Sequence, residues 1–173
     1  MKFSEKTVSQ NYLYKGKILN LRKDLIILPD GKDAVREVVE HSGGSAVLCE
    51  MDGKILLIRQ FRYPYMETTL EIPAGKLNEN EDPSVTAIRE LEEEGGIKAE
   101  CVEKIFDVYP TPGYTNEIIR IYRAINPIRT SAHPDEDEFV NAEWYDRQQL
   151  KKMIDSGEIK DGKTLIALLY TLK

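Results

Sequence analysis

The sequence predicts a mixed α+β fold, in which one main domain has a mixed sheet between helices and follows a small antiparallel β segment. Strand-like and helix-like stretches intermix along the 173 residues, without the regular alternation of a doubly wound parallel sheet. The 41% hydrophobic and 31% charged content is typical of a globular protein, and the chain is long enough to bury a proper core. One stretch, rich in glutamate, carries most of the functional signal.

The N-terminal segment is expected to form a small antiparallel meander. Ile18–Arg22 and Leu25–Leu28 are predicted strands, and Ala34–Glu40 is the returning strand after a turn. Strands this short, with few apolar residues each, are marginal alone. We therefore divide the chain into a β segment, residues 1–40, and a main domain, residues 41–173, and expect the segment to pack on that domain or on a second copy.

Six strands are predicted in the main domain from short apolar runs bounded by turn residues. They are Ser45–Glu50, Lys54–Gln60, Thr69–Ile72, Cys101–Tyr109, Ile118–Ala124 and Phe139–Tyr145. Asp52-Gly53 is a strong signal for a hairpin between the first two strands. Helices are predicted over Asp146–Ser156 and Lys163–Leu172.

The glutamate-rich stretch is predicted to contain a further helix. Asp82 is a good N-cap, Pro83 suits the first helical position, and Gly95 and Gly96 form a natural stop. Apolar residues recur along this helix at a spacing that predicts one apolar face. They are Val85, Ala87, Ile88 and Leu91.

Three glutamates of this helix, Glu90, Glu93 and Glu94, are three and four residues apart and are expected on the side opposite the apolar face. Like charges at this spacing destabilise a helix by roughly 0.2–0.5 kcal/mol per pair, so a cation should offset them. Mg²⁺ prefers carboxylate and water oxygens. The alternative interpretation is a solvated acidic face, which is what most glutamate runs are.

The spacing of the fixed residues favours the metal. Nine residues of this stretch have a characteristic spacing: Gly75, Glu81, Arg89-Glu90-Leu91, Glu93-Glu94 and Gly96-Ile97. At every fixed position they are similar to the signature of the Nudix hydrolases. Outside the signature, four further stretches resemble the ADP-ribose pyrophosphatase branch in the right order. They are the N-terminal β segment with Arg36, Gln60-Phe61-Arg62, Pro112-Gly113-Tyr114-Thr115-Asn116-Glu117, and the acidic loop Asp135-Glu136-Asp137-Glu138.

The resemblance implies an α/β/α sandwich and a metal site. Glu90 and Glu94, one helical turn apart, would share the metal with the backbone carbonyl of Ala74, and Glu93 would lie beside them. Gly75, Glu81 and Arg89 are expected to be structural residues of the motif. Arg89 would orient the glutamates, with Glu81 as its partner.

The substrate contacts implied by the resemblance lie elsewhere in the chain. Arg36 and Arg62 are candidates for binding phosphates, because a guanidinium group fits phosphate oxygens. Pro112 and Gly113 belong to the substrate loop, and Glu117 resembles a ribose-contacting acid. Surface ion pairs and a solvated strand end are the alternatives for these residues. The aromatic partner of adenine stays open between Tyr12, Tyr14 and a residue of another subunit.

A general base is expected in the acidic loop. Glutamates that hold metal are poor proton acceptors, because the cation stabilises their charged form. A mobile loop can bring another carboxylate to the water when substrate is bound. We expect Glu136 to be the base and Glu138 to bind a metal or orient the water, with Glu93 as the next candidate.

A second motif, Gly157–Thr164, matches the P-loop pattern in its glycines, lysine and threonine. A P-loop follows a buried strand, whereas the preceding Asp146–Ser156 is charged and helix-like. We interpret the stretch as a loop between helices, with Gly157 as a C-cap and Asp161 near the next helix start.

Composition excludes several other classes of protein. The net charge of −6 argues against general nucleic-acid binding, and no apolar run approaches a membrane span. The first ten residues lack a signal-peptide core, so a cytoplasmic protein is expected. Cys49 and Cys101 have no metal spacing and are expected as buried, reduced thiols. His41 and His133 are too far apart to suggest a zinc site.

Taken with its resemblance, the sequence predicts Mg²⁺-dependent hydrolysis of ADP-ribose to AMP and ribose 5-phosphate, with Mn²⁺ as the alternative metal. The resemblance also implies a homodimer formed through the N-terminal segment. One alternative is a Nudix pyrophosphatase for another nucleoside diphosphate derivative, such as a nucleotide sugar. The other is a non-catalytic module that senses ADP-ribose, which would be expected to lose acids that this sequence retains.

Overall fold

The computed structural model describes residues 3–134 and 139–173. The chain divides into two units. The first consists of the N-terminal part as far as Gly43 together with Tyr109–Ile118, and the second of Gly44–Val108 and Ile119–Lys173. Among the described residues, no helix is both long and apolar enough to cross a membrane.

The first unit is a three-stranded antiparallel sheet of β1 (Lys6–Lys15), β2 (Leu19–Ile27) and β3 (Asp33–His41), with β2 in the middle. The predicted meander is therefore confirmed, but its division into strands is wrong. Ile18–Arg22 and Leu25–Leu28 were predicted as separate strands, and most of both lies in the single strand β2. The polar Lys23-Asp24 pair does not interrupt β2, because Asp24 is buried and accepts a hydrogen bond from Arg22.

Strand β1 was missed by the sequence analysis. All ten of its residues are exposed, so it has no hydrophobic alternation to detect. The loop Tyr109–Ile118 joins this unit at the end of β3. The amide of Val39 donates to the carbonyl of Tyr114 at 2.8 Å, and the amide of Asn116 donates to the carbonyl of Val39 at 3.2 Å.

The second unit contains ten strands and three helices among its described residues. The strands are β4 (Gly44–Leu48), β5 (Glu50–Met51), β6 (Lys54–Arg62), β7 (Glu67–Glu71), β8 (Ala74–Lys76), β9 (Ile97–Lys98), β10 (Cys101–Val108), β11 (Ile119–Ile125), β12 (Ile128–Arg129) and β13 (Val140–Asp146). The helices are α1 (Pro83–Gly95), α2 (Arg147–Asp155) and α3 (Gly162–Thr171).

One sheet of this unit is mixed, as predicted, and a second four-stranded sheet is entirely antiparallel. One runs in the order β10-β11-β4-β8, with a parallel pair between β11 and β4 and antiparallel neighbours on either side. The other runs β13-β6-β5, with β7 also paired to β6. Asp52 and Gly53 both have positive φ angles, 53° and 73°, and close the predicted hairpin between β5 and β6.

Successive side chains of the central strands enter two different cores. In β4, Ala46 and Leu48 contact one cluster, with α2 and α3, while Val47 contacts the other, with α1. In β6, Leu57 and Leu56 are divided between the same two clusters. Strands buried on both faces require a helix layer on each side, so this unit is an α/β/α sandwich.

Two further details differ from the sequence expectations. The short strands β8, β9 and β12 have two or three residues each, too few to show alternation. Cys101 is exposed rather than buried, although both cysteines are free as expected. Cys49 lies in the core, where burial raises the pKa of its thiol to about 12.

The P-loop look-alike lies between α2 and α3, which confirms that it is an inter-helix loop. Gly157 has a φ of 73° and directly follows Ser156, the C-cap of α2. Asp161 is the N-cap of α3, where its carboxylate accepts a hydrogen bond from the amide of Thr164 at 3.0 Å.

Candidate functional site

Helix α1 begins and ends where the cap residues predict. The carboxylate of Asp82 accepts a hydrogen bond from the amide of Ser84 at 2.8 Å, and Pro83 is the first helical residue. At the other end Gly96 has a φ of 61°, and its amide donates to the carbonyl of Glu92. These caps fix the residues at which the helix begins and ends.

The prediction that the glutamates lie opposite the apolar face is wrong. Glu90 and Glu94 are only 6% and 4% exposed, and they share the buried side of α1 with Leu91. Val85, predicted to be on the apolar face, is 53% exposed. The reason is that α1 is covered on two adjacent sides, by the apolar core and by strand β8. The periodicity of apolar residues in the sequence indicates only the side that packs on the apolar core.

Strand β8 approaches the glutamates through its backbone. The amide of Ala74 donates to Oε2 of Glu94 at 3.0 Å. A Cβ atom placed on Gly75 would lie 1.8 Å from Oε1 of Glu90. Glycine is therefore required at this position because any side chain would occupy the space of the Glu90 carboxylate.

Arg89 is placed among the acids as predicted. Its Nη1 lies 2.8 Å from Oε1 of Glu90 and 2.7 Å from Oε2 of Glu93, and its Nε donates to Oε1 of Glu81 at 3.2 Å. Burial opposes the charged form of Glu81, but the hydrogen bonds from Arg89 and the amide of Asn78 hold the pKa of Glu81 below its ordinary value. Part of the expected cationic compensation is thus supplied by the protein.

The donor set fits a hard divalent cation. In the described parts of the chain, no group of three or more His, Cys, Asp or Glu side chains is arranged to hold a metal ion. The buried carboxylates of Glu90 and Glu94 lie beside the backbone of Gly75 and Ala74, and the missing side chain of Gly75 leaves room for the Glu90 carboxylate. Two carboxylates and a carbonyl oxygen, completed by water, suit a cation of the Mg²⁺ type better than a zinc ion.

The predicted phosphate ligand Arg62 lies at the end of β6 and is bound to an acid that sequence reasoning missed. Its Nε and Nη2 donate to the two oxygens of Glu71, both at 2.7 Å. Glu71 is 4% exposed. The hydrogen bond to Glu71 raises the pKa of Arg62. Glu71 could have been found from the sequence, because it is a carboxylate inside the short apolar strand that precedes Ala74.

Four predicted substrate-binding residues, Arg36, Pro112, Gly113 and Glu117, belong to the first unit. The Nε of Arg36 donates to Glu5 at 3.1 Å, and that contact raises the pKa of Arg36. The Oε1 of Glu117 lies 3.4 Å from Nδ1 of His41. Arg36 and Glu117 therefore each have a partner within this unit.

The predicted base Glu136 and its neighbour Glu138 lie outside the described residues. The chain that leads to them is attached to the C-terminal end of α1: the amide of His133 donates to the carbonyl of Glu93 at 3.0 Å, and that of Thr130 donates to Gly96 at 2.8 Å. The third catalytic candidate, Glu93, has its side chain 24% exposed and held by Arg89.

Comparison with known proteins identifies related sequences along almost the whole chain. A family model described as NUDIX domain matches residues 39–167, and one described as nucleoside diphosphate sugar hydrolase N-terminal domain matches residues 5–39. An ADP-ribose pyrophosphatase of Bacillus subtilis (strain 168) is 40% identical over 96% of this chain and 91% of its own length. A methanol dehydrogenase activator of Bacillus methanolicus is 38% identical over 97% and 92% of the two chains.

The fold is also found among solved structures. A crystal structure of an ADP compounds hydrolase superposes with a TM-score of 0.85 and covers 98% of this chain and 93% of its own, at 16% identity. At that level of identity the likeness concerns the fold, and it agrees with the α/β/α arrangement described above.

The contact between Gly75 and Glu90 leads to a prediction about metal binding. Gly75→Ala should reduce the affinity for Mg²⁺ or Mn²⁺ by at least about 10-fold, because the new methyl group displaces the Glu90 carboxylate. The melting temperature should fall by only a few degrees, since the displaced atoms are the end of a flexible side chain. Calorimetric titration of metal into the metal-free protein, with thermal unfolding of the same samples, measures both quantities.

Gly162→Ala is the matched control, because a Cβ on Gly162 meets no atom within 4 Å. Its metal affinity should equal that of the unmodified protein. An unchanged affinity in Gly75→Ala would contradict the assignment of Glu90 to the metal site.

Proposed function

The chain belongs to the Nudix family and is a hydrolase of that family, and we propose that it cleaves the pyrophosphate bond of ADP-ribose to give AMP and ribose 5-phosphate. The relative named ADP-ribose pyrophosphatase, aligned over almost the full length of both chains, supports this substrate. Enzymes of this family generally need a divalent metal. We propose Mg²⁺, with Mn²⁺ as the alternative, and a cytoplasmic location consistent with two free cysteines.

The observation that carries the proposal is the buried pair Glu90 and Glu94, held against the backbone of Ala74 and Gly75. A diphosphate presents closely spaced negative charges that must be neutralised before water can attack phosphorus. A divalent cation supplies that neutralisation and lowers the pKa of a bound water. The two glutamates, the Ala74 carbonyl and Arg89, which fixes Glu90 and Glu93, are the protein's contribution to holding it.

Arginines complete the recognition of the phosphates in this proposal. Arg62 is already fixed in a planar, two-point contact with Glu71, which leaves the remaining guanidinium nitrogen, Nη1, directed away from that carboxylate. An arginine held in this way loses little side-chain entropy when it binds phosphate oxygens. Arg36 is proposed as a second phosphate ligand, Glu117 as the ligand of a ribose hydroxyl, and Pro112 and Gly113 as part of the substrate loop.

We assign the proton acceptor to the acidic loop. The carboxylate of Glu93 is already bonded to the guanidinium of Arg89. The described residues that precede Glu136 in the chain are attached to the C-terminal end of the glutamate helix, where the amide of His133 donates to the carbonyl of Glu93. This attachment supports Glu136 as the base that takes the proton from the attacking water, with Glu138 orienting that water.

The main alternative substrate is a nucleotide sugar, which the name of the N-terminal family model favours. A panel of ADP-ribose, ADP-glucose, GDP-mannose and NADH, each with Mg²⁺ or Mn²⁺ and with chromatographic identification of products, distinguishes the two. The proposal expects the highest kcat/KM for ADP-ribose, with AMP and ribose 5-phosphate as products. A higher kcat/KM for a nucleotide sugar would overturn it, and no turnover at all would favour a sensing module.

The metal assignment predicts the effect of two neutral substitutions. Glu90→Gln and Glu94→Gln should each lower kcat by at least about 100-fold, because the carboxylates support charge stabilisation worth several kcal/mol. The metal-free variants should be as stable as the unmodified protein or slightly more stable, since like charges at helical spacing repel. Kinetics at limiting Mg²⁺ and thermal unfolding without metal test the two expectations.

Glu92→Gln is the control on the same helix, because Glu92 points away from the acid pair. Its activity should stay within about two-fold of the unmodified enzyme, as for a solvated residue. Activity near wild type in Glu90→Gln or Glu94→Gln would sink the metal assignment.

The base assignment predicts a different kinetic pattern. Glu136→Gln should lower kcat by about 10²–10⁴, the usual contribution of a general base, with KM and metal affinity little changed. Steady-state kinetics beside a metal titration separate this pattern from loss of a metal ligand. A larger loss in Glu138→Gln would exchange the two roles. If both variants stay within a few-fold of wild type, the loop is not catalytic and Glu93 becomes the candidate.

We also propose a two-fold dimer formed through the N-terminal sheet, as the family resemblance implies. Every residue of β1 is exposed in the single chain, and apolar side chains such as Val8, Leu13 and Val35 are about half exposed or more. Among the described strands β1 pairs only with β2, so its other edge is open to a second copy.

The dimer proposal predicts twice the mass of one chain by light scattering at micromolar concentration. Charged substitutions at Val8 and Leu13 should shift the protein towards monomer, because they place charge in the proposed interface. Lys151→Glu, at an exposed lysine of α2 outside the N-terminal sheet, is the control for charge alone. A fully active monomer at micromolar concentration would refute the proposal.

A further inference from the structure

The lysine and threonine of the P-loop look-alike contact the strand that leads into the metal site. Thr164 is fully buried, and its Oγ1 accepts a hydrogen bond from the amide of Ile72 at 2.9 Å. Lys163 has only 9% of its side chain exposed, and its Nζ binds the carboxylate of Glu71. Both contacts reach from the N-terminus of α3 to the end of β7, two and three residues before Ala74.

Glu71 connects Lys163 to Arg62. Its Oε1 accepts hydrogen bonds from Nε of Arg62 and from Oγ1 of Thr69, the latter at 2.6 Å. Its Oε2 accepts from Nη2 of Arg62 and from Lys163. The carboxylate is thus held at both oxygens by groups other than Arg62, so it cannot rotate about its own axis. Because Arg62 binds both of these oxygens in a two-point contact, the orientation of its guanidinium is fixed as well.

Charge favours the same arrangement. Glu71 is buried, and burial alone would favour its neutral form, yet Arg62 and Lys163 together hold the pKa of Glu71 well below its ordinary value. Sharing Glu71 between two cations leaves Arg62 less completely neutralised than it would be in a simple pair. Asp161 lies 3.1 Å from Nζ of Lys163 and offsets part of this charge, while its other oxygen caps α3.

We propose that Lys163 is a positioning residue for Arg62, acting through Glu71, and that the P-loop look-alike supports the phosphate-binding arginine instead of binding a nucleotide itself. The inference rests on the proposed role of Arg62. The same residues line a cavity of about 390 Å³, whose wall includes Arg62, Thr69, Glu71 and Lys163. Removal of Lys163 frees one oxygen of Glu71, and Arg62 then samples orientations that do not meet the diphosphate.

A double-mutant cycle tests this proposal. Lys163→Met should raise KM for ADP-ribose by about 10-fold or more, the loss expected when a binding group is misplaced, while kcat changes by less than about three-fold. In an Arg62→Ala background, the same substitution should change kcat/KM by less than about two-fold, because the residue through which it acts is absent. Lys163→Arg, which keeps the charge, should have a KM closer to wild type than Lys163→Met.

Lys160→Met is the matched control on the same cavity wall. Lys160 pairs with Glu67 at 2.8 Å, but its side chain is 61% exposed, and its loss should leave KM within about two-fold of wild type. Thermal unfolding of all variants shows whether each is folded, and a loss of stability common to both backgrounds cancels in the cycle.

Three outcomes would overturn the proposal: equal effects of Lys163→Met in both backgrounds, a KM within about two-fold of wild type in Lys163→Met, or no effect of Arg62→Ala. Failure of the proposed substrate is distinguishable, because it appears as slow turnover of ADP-ribose by the unmodified enzyme. The cycle is then measured with the substrate of highest kcat/KM in the panel, and the same outcomes apply.

Discussion

The contact between the Gly75 backbone and the Glu90 carboxylate is the constraint on which the rest of the site depends. Two charged side chains, Glu90 and Glu94, are taken out of water on the inner side of a helix, which is costly unless they are paired. Strand β8 approaches close enough for an amide to bond to Glu94 only because residue 75 has no side chain. The position of the strand and the direction of the acids are therefore set by one close approach.

The rest of the second unit keeps these two elements in place. Strands β4 and β6, from two sheets, are buried on both faces, so they contact α1 on one face and α2 and α3 on the other. Arg89 joins Glu81, Glu90 and Glu93 and reduces the repulsion between these acids. From the other side, α3 binds β7 through Thr164 and Lys163. The acids, the backbone carbonyl and the proposed phosphate-binding arginine are thus each held by a different part of the core.

The features that could be predicted from the sequence are those encoded by a few neighbouring residues. Asp82 and Gly96 define the ends of α1, and Asp52-Gly53 defines a hairpin, because caps and tight turns depend on local backbone chemistry. The acid spacing and its glycine could be recognised as a motif for the same reason. Strand β1 could not be predicted, since its few apolar residues, such as Val8 and Leu13, do not alternate with polar ones.

Contacts between distant parts of the chain were beyond the sequence pattern. Lys163 and Glu71 are 92 residues apart, and no spacing rule connects them. The burial of Glu90 and Glu94 was missed because a hydrophobic pattern describes only the apolar side of α1, whereas the acidic side is covered by backbone from β8. The P-loop look-alike shows the converse. Its lysine and threonine do bind polar groups, but in this fold those groups are the carboxylate of Glu71 and the amide of Ile72.

The most direct test of the central claim is carbon-detected NMR of the ¹³C-labelled protein during titration with Mn²⁺, whose paramagnetism broadens nearby signals. The account predicts that the carboxylate signals of Glu90 and Glu94 and the carbonyl signal of Ala74 disappear first, before those of Glu71 and Glu92. Broadening that begins at another acidic cluster and spares these three carbons would contradict it.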